Sequence, residues 1–510
     1  MRRRTVIALG AVTVVAAALR LWNLAADPFW LDEAHTADFT TLPVGELWSF
    51  SKPFDTVNPP GFILLMKIWT QLSRSDPWFR LLPAIAGILT VPVVYAAGTR
   101  LANRHAGLYA AAYVAVSGFL VRYSQEARAY ALVALLVSLA LWSVAQLVAE
   151  PDGDSATPLR RSPRPERLHG QGLRRQVTWT DVAWPVYAVA AGLGLHLHNT
   201  AVGLALASNV AIGIWWLGRR PEPRGFARNW VLANIGAFLV WSPWFPGFLA
   251  QLGLVQQNFW VTPPTPSSVI RDIGVVFDAY ASFVVQPAGS TVFHAVLLAL
   301  MVTGVWWGTR RLDRGPKLII WSFLLVQPLF ELAFSLRQPV FLSRTLLWIA
   351  LAAAIGLGAA SARGGWLGRV TSLTALAVAL VSVAGYHTSF EKSAWDEAAE
   401  LVASEASPDD VVFILAGNTQ VAFDHYFDRD DVREIALPFR IPGRQDSGAT
   451  LTERDIAAIT EIVDEHARTW LVLNSVANIQ NGASLPEALD DHAARTERYE
   501  FYDVVVVAFD

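Results

Sequence analysis

The chain reads as a succession of apolar runs separated by short polar connections, and the pattern holds from residue 5 to residue 387. A helix needs roughly 20 mostly apolar residues to cross a hydrocarbon layer about 30 Å thick. Runs of this kind cover approximately 5–25, 82–99, 106–121, 129–149, 182–197, 199–217, 229–248, 291–309, 318–336, 345–361 and 368–387, which predicts eleven membrane spans. From residue 388 the pattern changes. Helical periodicity over Trp395–Ala406 leads into an apolar strand at Val411–Leu415, then another helix, a strand at Trp470–Leu473 and a terminal β run at Val504–Phe509. The organisation expected is a polytopic α-helical membrane domain over 1–387 followed by a small soluble α/β domain over 388–510.

Composition sharpens this picture. Of 510 residues 53% are hydrophobic and only 16% charged, with a mean hydropathy of +0.36, which excludes an ordinary soluble enzyme. The absence of Cys excludes structural disulfides, thiol catalysis and Cys-ligated zinc. The start, Met1-Arg2-Arg3-Arg4 and an apolar stretch through Leu24, resembles a secretory signal. It lacks a small-residue cleavage site and runs into Trp22 and Trp30, which resemble an interfacial aromatic belt, so an uncleaved first span is expected.

Threading the spans alternately collects the N-terminal arginines, Arg100 with Arg104, the basic loop 150–181, Arg219–Arg228, Arg310–Lys317 and Arg363 with Arg369 on one side. The positive-inside rule names that side cytoplasmic. Arg160, Arg161, Arg164, Arg167, Arg174 and Arg175 make the loop 150–181 the strongest vote, and its Pro, Gly and Arg content reads as a flexible linker. The external loop 27–80, the turn Arg122–Arg128, the loop 249–290, the turn Arg337–Arg344 and everything after Tyr386 then lie outside. From residue 388 onward 25 Asp and Glu stand against 9 Lys and Arg, so the outer domain is acidic, which suits repulsion from anionic head groups or simple solubility.

Candidate chemistry gathers at the outer boundary. The first external loop carries Pro28-Phe29-Trp30-Leu31-Asp32-Glu33-Ala34-His35 and, later, Asn58-Pro59-Pro60-Gly61-Phe62. A carboxylate near the membrane surface can take the proton of an attacking hydroxyl, with Asp32 the first candidate and Glu33 the second. The alternative is that the acidic pair faces the positive end of a helix dipole. The turn Arg122-Tyr123-Ser124-Gln125-Glu126-Ala127-Arg128-Ala129-Tyr130 sits between two apolar spans. Arg128 or Arg122 could hold a lipid phosphate there, with Glu126 orienting one of them; snorkelling arginines paired to Glu126 are the bland reading. Arg337-Gln338-Pro339-Val340-Phe341-Leu342-Ser343-Arg344 repeats the theme and offers a second phosphate contact. Glu331 precedes it inside a span, where a carboxylate must face protein or a water-filled cavity, as ligand or as packing partner. His196, His198 and Asn199 end another span; residues i and i+2 share no helical face, so metal binding there is weak, as is a divalent site from His35 with Asp32 and Glu33.

In order and in spacing relative to the spans, Trp30-Leu31-Asp32-Glu33, Asn58-Pro59-Pro60-Gly61-Phe62-Ile63-Leu64-Leu65-Met66-Lys67-Ile68-Trp69, Phe79-Arg80-Leu81-Leu82-Pro83 and Tyr123-Ser124-Gln125-Glu126-Ala127-Arg128-Ala129-Tyr130 resemble the GT-C class of polytopic glycosyltransferases. The branch is that of the protein O-mannosyltransferases and the bacterial aminoarabinose transferase of lipid A, and the resemblance covers about the first 150 residues. It implies a seven-span module plus variable later spans, juxtamembrane helices in the first external loop, and often a soluble outer domain. It implies a polyprenyl- or dolichyl-phosphate sugar donor, inversion at the anomeric centre, and a base at Asp32 with Glu33 beside it. Asn58 stands where the family usually has His before Pro-Pro. Arg344 matches an Arg near an external span end, where Tyr often follows and Thr345 follows here.

The function expected is therefore transfer of mannose or another hexose or pentose from the lipid phosphate to a glycan, lipid or protein acceptor at the outer face of a cell membrane. Asp32 is the base; Arg128, Arg344 and Arg122 hold the donor phosphate, supported by Glu126, Asn58, Tyr123, Tyr130 and Arg337. No cofactor is required by the sequence, a divalent metal remains an option, membrane lipids are partners and nucleic acid is not. The alternative from another class is a secondary transporter or flippase of a lipid-linked or small polar substrate. Paired repeats and midplane charges, the usual signs of a transporter, are not evident. A third reading is an inactive relative that serves as an envelope scaffold.

Overall fold

The computed structural model describes residues 2–49, 58–148, 178–218, 225–258, 261–278, 280, 290–438, 450–474 and 482–510. Most of the basic loop 150–181, with its six arginines, lies outside the described residues, as do 50–57 of the first loop and 281–289. The chain divides into two compact units. Met1–Trp22, Leu42–Ser73 and Trp78–Phe390 form the first, and Asn23–Thr41, Arg74–Pro77 and Glu391–Asp510 the second. The expected boundary at 387/388 assigns the whole first loop to the membrane domain, whereas Asn23–Thr41 and Arg74–Pro77 cluster with the C-terminal residues.

In chain order the helices through residue 389 are α1 (Arg2–Leu21), α2 (Leu31–Phe39), α3 (Val44–Leu47), α4 (Gly61–Trp69), α5 (Asp76–Leu101), α6 (Arg104–Val116), α7 (Gly118–Ser124), α8 (Tyr130–Val148) and α9 (Trp179–Leu197). They continue with α10 (Val202–Leu217), α11 (Phe226–Trp241), α12 (Phe245–Asn258), α13 (Pro266–Asp278), α14 (Ser290–Thr309), α15 (Arg314–Ser335), α16 (Ile349–Arg363) and α17 (Gly365–Ser389). Among the described residues eight helices are long and apolar enough to cross a membrane, or nine if α6 and α7, bent by 60° at their junction, count as one span. The protein is a multi-pass membrane protein. The eleven predicted spans all fall on helices; the two beyond nine are α9, which carries Asp181, Pro185 and His196, and α16, which has only 15 residues.

The shortest of these is the most enclosed. The sequence of α16, Ile-Ala-Leu-Ala-Ala-Ala-Ile-Gly-Leu-Gly-Ala-Ala, is buried at every position from Ile349 to Ala360, because α6, α14, α15 and α17 pack around it. A helix apolar on every face belongs inside a bundle, and lipid gives it no hydrophobic drive to associate, so close packing of small residues must supply the cohesion. Gly358 lies against the Ala106 carbonyl of α6, and the Gly356 carbonyl lies against Gly308 of α14, so that a Cβ on Gly358 or Gly308 would meet backbone.

The second unit is built on a five-stranded sheet of β1 (Val411–Leu415), β2 (Arg433–Leu437), β3 (Thr469–Leu473), β4 (Thr496–Phe501) and β5 (Val504–Phe509), in the order β2-β1-β3-β5-β4. The first three strands are parallel and the last two antiparallel. The helices α18 (Trp395–Glu405), α19 (Gln420–Asp424), α20 (Glu453–Glu465) and α21 (Leu485–Asp490) connect or flank them. Every residue of β1 and β3 is buried, as befits continuous apolar runs in the middle of a sheet. Thr452 and Asp455 start α20 with a reciprocal capping box: the Thr452 hydroxyl accepts from the Asp455 N–H and the Asp455 carboxylate accepts from the Thr452 N–H at 2.8 Å. That places Ile459, Ile462 and Val463 on the sheet.

Two predictions follow from packing in the first unit. Gly358→Ala should cost about 1–3 kcal/mol, since α16 must move away from α6, whereas Gly213→Ala in α10, where nothing lies within 4 Å, should be neutral or slightly stabilising. Thermal unfolding of the two variants in one detergent checks the contrast. The second concerns Asp272 on α13, which is half-buried; burial pushes its carboxyl up to about 6 from the usual 3.8, against the opposing pull of Arg271 and His294. The folded state then holds the proton more tightly than the unfolded chain, so this group's contribution falls as pH rises from about 4 to about 6 and stays low above that. Asp272→Asn should therefore gain melting temperature over wild type across that window and hold the gain at pH 7; a pH-independent difference would refute the assignment.

Candidate functional site

Each unit carries part of the candidate chemistry. In the first unit the break between α6 and α7 governs the outer turn. Ser117, with φ −66° and ψ 113°, leaves helical geometry, so the last carbonyls of α6 lose their partners inside the bundle. Arg20 of α1, 1% exposed, replaces them: Nη2 donates to the Val114 carbonyl at 2.9 Å and Nη1 to the Ala115 carbonyl at 3.0 Å. Its Nε donates to Ser124 Oγ at 3.2 Å, and the Gln125 amide donates to the carbonyls of Arg20 and Trp22. The turn after α7 is thereby anchored to α1.

That anchored turn presents the predicted arginines. Arg122 donates from Nε to Glu126 Oε1 at 2.8 Å, and its guanidinium lies 4.6 Å from the Phe390 ring and 5.2 Å from the Tyr123 ring. Glu126 is fully buried, and its other oxygen, Oε2, has no hydrogen-bond partner among the described residues. Arg128 is half-buried in the turn itself, its N–H donating to the Glu126 carbonyl at 2.7 Å. Tyr123 and Tyr130 meet edge-on at 5.0 Å, and Tyr130 reaches His198 at 5.5 Å, so aromatic rings wall this turn.

The second predicted arginine turn packs against α13, as α7 does. Arg344 is half-buried in the short 3-10 turn Ser343–Leu346. Glu331 holds that turn: fully buried, it accepts from Thr345 Oγ1 at 2.8 Å and from Gln327 Nε2 at 2.5 Å. It is a packing partner, which resolves the alternative left open by the sequence. Arg337 is exposed beyond the end of α15.

Asn58, His196 and His198 sit among the contacts that join α4, α9, α10 and α12. The Asn58 carbonyl accepts from the Gln251 amide at 2.7 Å, and Gln251 accepts from Asn199 at 3.2 Å, which ties the Asn-Pro-Pro segment to α12 and to the start of α10. His196 Nε2 lies 2.8 Å from the Val240 carbonyl, and His198 Nδ1 accepts from the Thr200 N–H. The two imidazoles are thus committed to different partners. Gly61 lies so close to the His196 carbonyl that any side chain there would collide with it, so α4 starts flush against the end of α9.

The second unit holds the acidic pair. Asp32 and Glu33 occupy the first turn of α2, where their charge suits the helix dipole, and Asp32 is half-buried. Glu33 is fully buried and bound to Lys392 Nζ at 2.7 Å, with Lys392 itself 6% exposed. Deleting one member of such a pair typically costs about 3–5 kcal/mol, because the other charge is stranded. His35 stacks on Phe39 at 5.4 Å. With Glu33 committed to an ammonium, Glu33 and His35 do not assemble as a metal site, and among the described residues no three His, Cys, Asp or Glu side chains converge to hold one.

Sequence reasoning missed Arg20, Gln125, Gln251, Gln327 and Lys392. Arg20 had a signal, a charge inside an apolar run, which in a membrane protein marks a buried role. The Glu33–Lys392 pairing had none, because 359 residues separate the partners.

Comparison with known proteins supports these observations. The sequence profile described as dolichyl-phosphate-mannose-protein mannosyltransferase matches residues 57–154. No curated protein matches the chain by sequence. Among solved structures, ArnT from Cupriavidus metallidurans in the apo state is similar with a TM-score of 0.58 at 13% identity, covering 99% of this chain and 97% of that one. ArnT bound to undecaprenyl phosphate gives 0.55 at 12% identity over the same shares. The Archaeoglobus fulgidus oligosaccharyltransferase in complex with Zn and sulfate gives 0.54 at 13% identity, covering 94% of this chain and 70% of that one. At such identities the likeness is one of fold, and it extends along the whole chain. The chain has the fold of ArnT, and over residues 57–154 it is similar to the dolichyl-phosphate-mannose-protein mannosyltransferases, in keeping with the GT-C resemblance of its sequence.

Proposed function

We propose that the protein transfers a sugar from a polyprenyl- or dolichyl-phosphate donor to a hydroxyl acceptor at the outer face of the cell membrane. The observation that carries this reading is the pair of arginine turns, Arg122–Arg128 and Ser343–Leu346, both set beside α13, in a fold shared with a protein solved bound to undecaprenyl phosphate. Half-buried guanidiniums at an interface suit a lipid phosphate: they stay protonated and can give it paired donors.

In the reaction proposed, an acceptor oxygen attacks the anomeric carbon, its proton passes to the Asp32 carboxylate, and the bond from the anomeric carbon to the phosphate oxygen breaks. The displacement is single and inverts the centre. Arg128 and Arg344 bind the lipid phosphate that leaves and stabilise the charge it gains. Arg122 is spoken for by Glu126, so we give it the role of shaping the turn. Glu33, held by Lys392, is not a second base in this reading. The sugar is a hexose or pentose, mannose among them, and the acceptor a glycan, lipid or protein hydroxyl. The charge pattern favours a cytoplasmic N-terminus and an extracytoplasmic 388–510 domain, since Arg310, Arg311, Arg314 and Lys317 crowd the α14–α15 turn on the opposite side of that topology.

Purified protein in nanodiscs, given radiolabelled polyprenyl-phosphate sugars and extracted envelope acceptors, should form product, and Asp32→Asn should lower the rate about 100-fold or more while the fold survives. Equal rates would remove Asp32 as the base, and no consumption of any donor would return weight to the transporter or flippase. The orientation has its own check. As the chain has no Cys, Glu453→Cys should react with a membrane-impermeant maleimide in intact cells and Arg311→Cys only after lysis; the reverse result inverts the topology.

A further inference from the structure

The acidic helix α2 belongs to the same compact unit as the C-terminal sheet, and three contacts within that unit fix it. Ahead of the helix, the Phe29 N–H donates to the Tyr426 hydroxyl at 2.6 Å, and Tyr426 donates in turn to Asp76 Oδ2 at 2.6 Å. His425 completes the knot, with Nε2 3.0 Å from Asp76 Oδ1 and its ring stacked on Phe29 at 4.9 Å. In the first turn, Lys392 meets Glu33 in a pair shielded from water. At the far end, Arg74 Nη2 donates to the Ala37 carbonyl at 3.2 Å. Asp32 lies between the first two contacts, three residues after Phe29 and one before Glu33.

We propose that Lys392 and Tyr426, from the C-terminal part of the chain, are positioning residues that hold α2 and thereby fix the direction of the Asp32 carboxylate. A short helix needs such help. Nine residues are too few to be stable alone, and α2 begins at Trp30 without a side-chain cap. Its place is set by tertiary contacts, and the strongest is an ion pair out of reach of solvent screening, in contrast to the exposed pairs on β4. Proton transfer demands that a base be held within hydrogen-bond reach of its partner. Lys392 and Tyr426 therefore act on the chemistry through α2.

The proposal rests on Asp32 being the base, so the experiment carries a readout that does not depend on activity. Full-length wild type, Lys392→Met, Lys392→Arg and Tyr426→Phe in nanodiscs are compared for transfer kinetics and for hydrogen exchange in peptides covering residues 29–41. Lys392→Met keeps the stem and removes the charge; it should lower kcat by about 100-fold with the KM for donor changed little, and exchange in α2 should speed up while α16 stays protected. Lys392→Arg should restore most of both. Tyr426→Phe, which deletes only a hydroxyl, should show a smaller effect of the same kind. Wild-type kcat in Lys392→Met, or lost activity with unchanged α2 exchange, overturns the proposal. If wild type transfers no sugar from any donor while Lys392→Met still loosens α2, the reading of Asp32 as a base has failed and the clamp stands; unchanged exchange removes the clamp as well.

Discussion

Lipid offers a polar group no partner, and that constraint shapes every charged feature of the membrane unit. A helix can break inside the bundle only if something else satisfies its freed carbonyls. Arg20 does this for the α6–α7 junction with two backbone acceptors, Val114 and Ala115, and with Ser124. Without that guanidinium the junction would straighten or be abandoned, and the turn carrying Arg122, Glu126 and Arg128 would lose its anchor on α1. The same logic governs Glu331, whose two oxygens are both occupied, and the Asp278–His294 pair at 3.1 Å, where α13 meets α14.

These buried polar groups differ from the candidate phosphate ligands in one respect that matters. Arg20 and Glu331 spend their hydrogen bonds on the protein, in the service of rigidity. Arg128 and Arg344 are only half-buried, at turns whose neighbours are held by the buried ones. Glu126 bridges the two classes: fully buried itself, it orients the half-buried Arg122 with one oxygen.

How much of this the sequence disclosed depends on the range of the interaction. Spans were legible because length and apolarity are local properties, and even the 15-residue α16 stood out as an unbroken run of small residues. In the second unit β1, β3 and β5 were legible as apolar runs, whereas β2 and β4 were not. Both are edge strands, and Thr496–Phe501 alternates exposed with half-buried residues, so its charged sequence reads as a loop. The arginine turns could be found because charges flanked by spans are conspicuous. What their neighbours do could not, since the Asn58–Gln251 and Glu33–Lys392 contacts join residues 193 and 359 positions apart. No periodicity records such a pairing.

The assignment of Glu33 shows how structure separates two residues that sequence treats as equivalent. Adjacent carboxylates on a helix point about 100° apart, so one can face the interior while the other faces outward. Here the inward one is neutralised by an ammonium, and this has an electrostatic consequence for its neighbour. An unpaired Glu33 would place a second negative charge beside Asp32. Pairing it with Lys392 cancels that charge. The lysine thus contributes twice, by holding the helix and by cancelling the charge next to Asp32, and both contributions come from a residue 359 positions further along the chain.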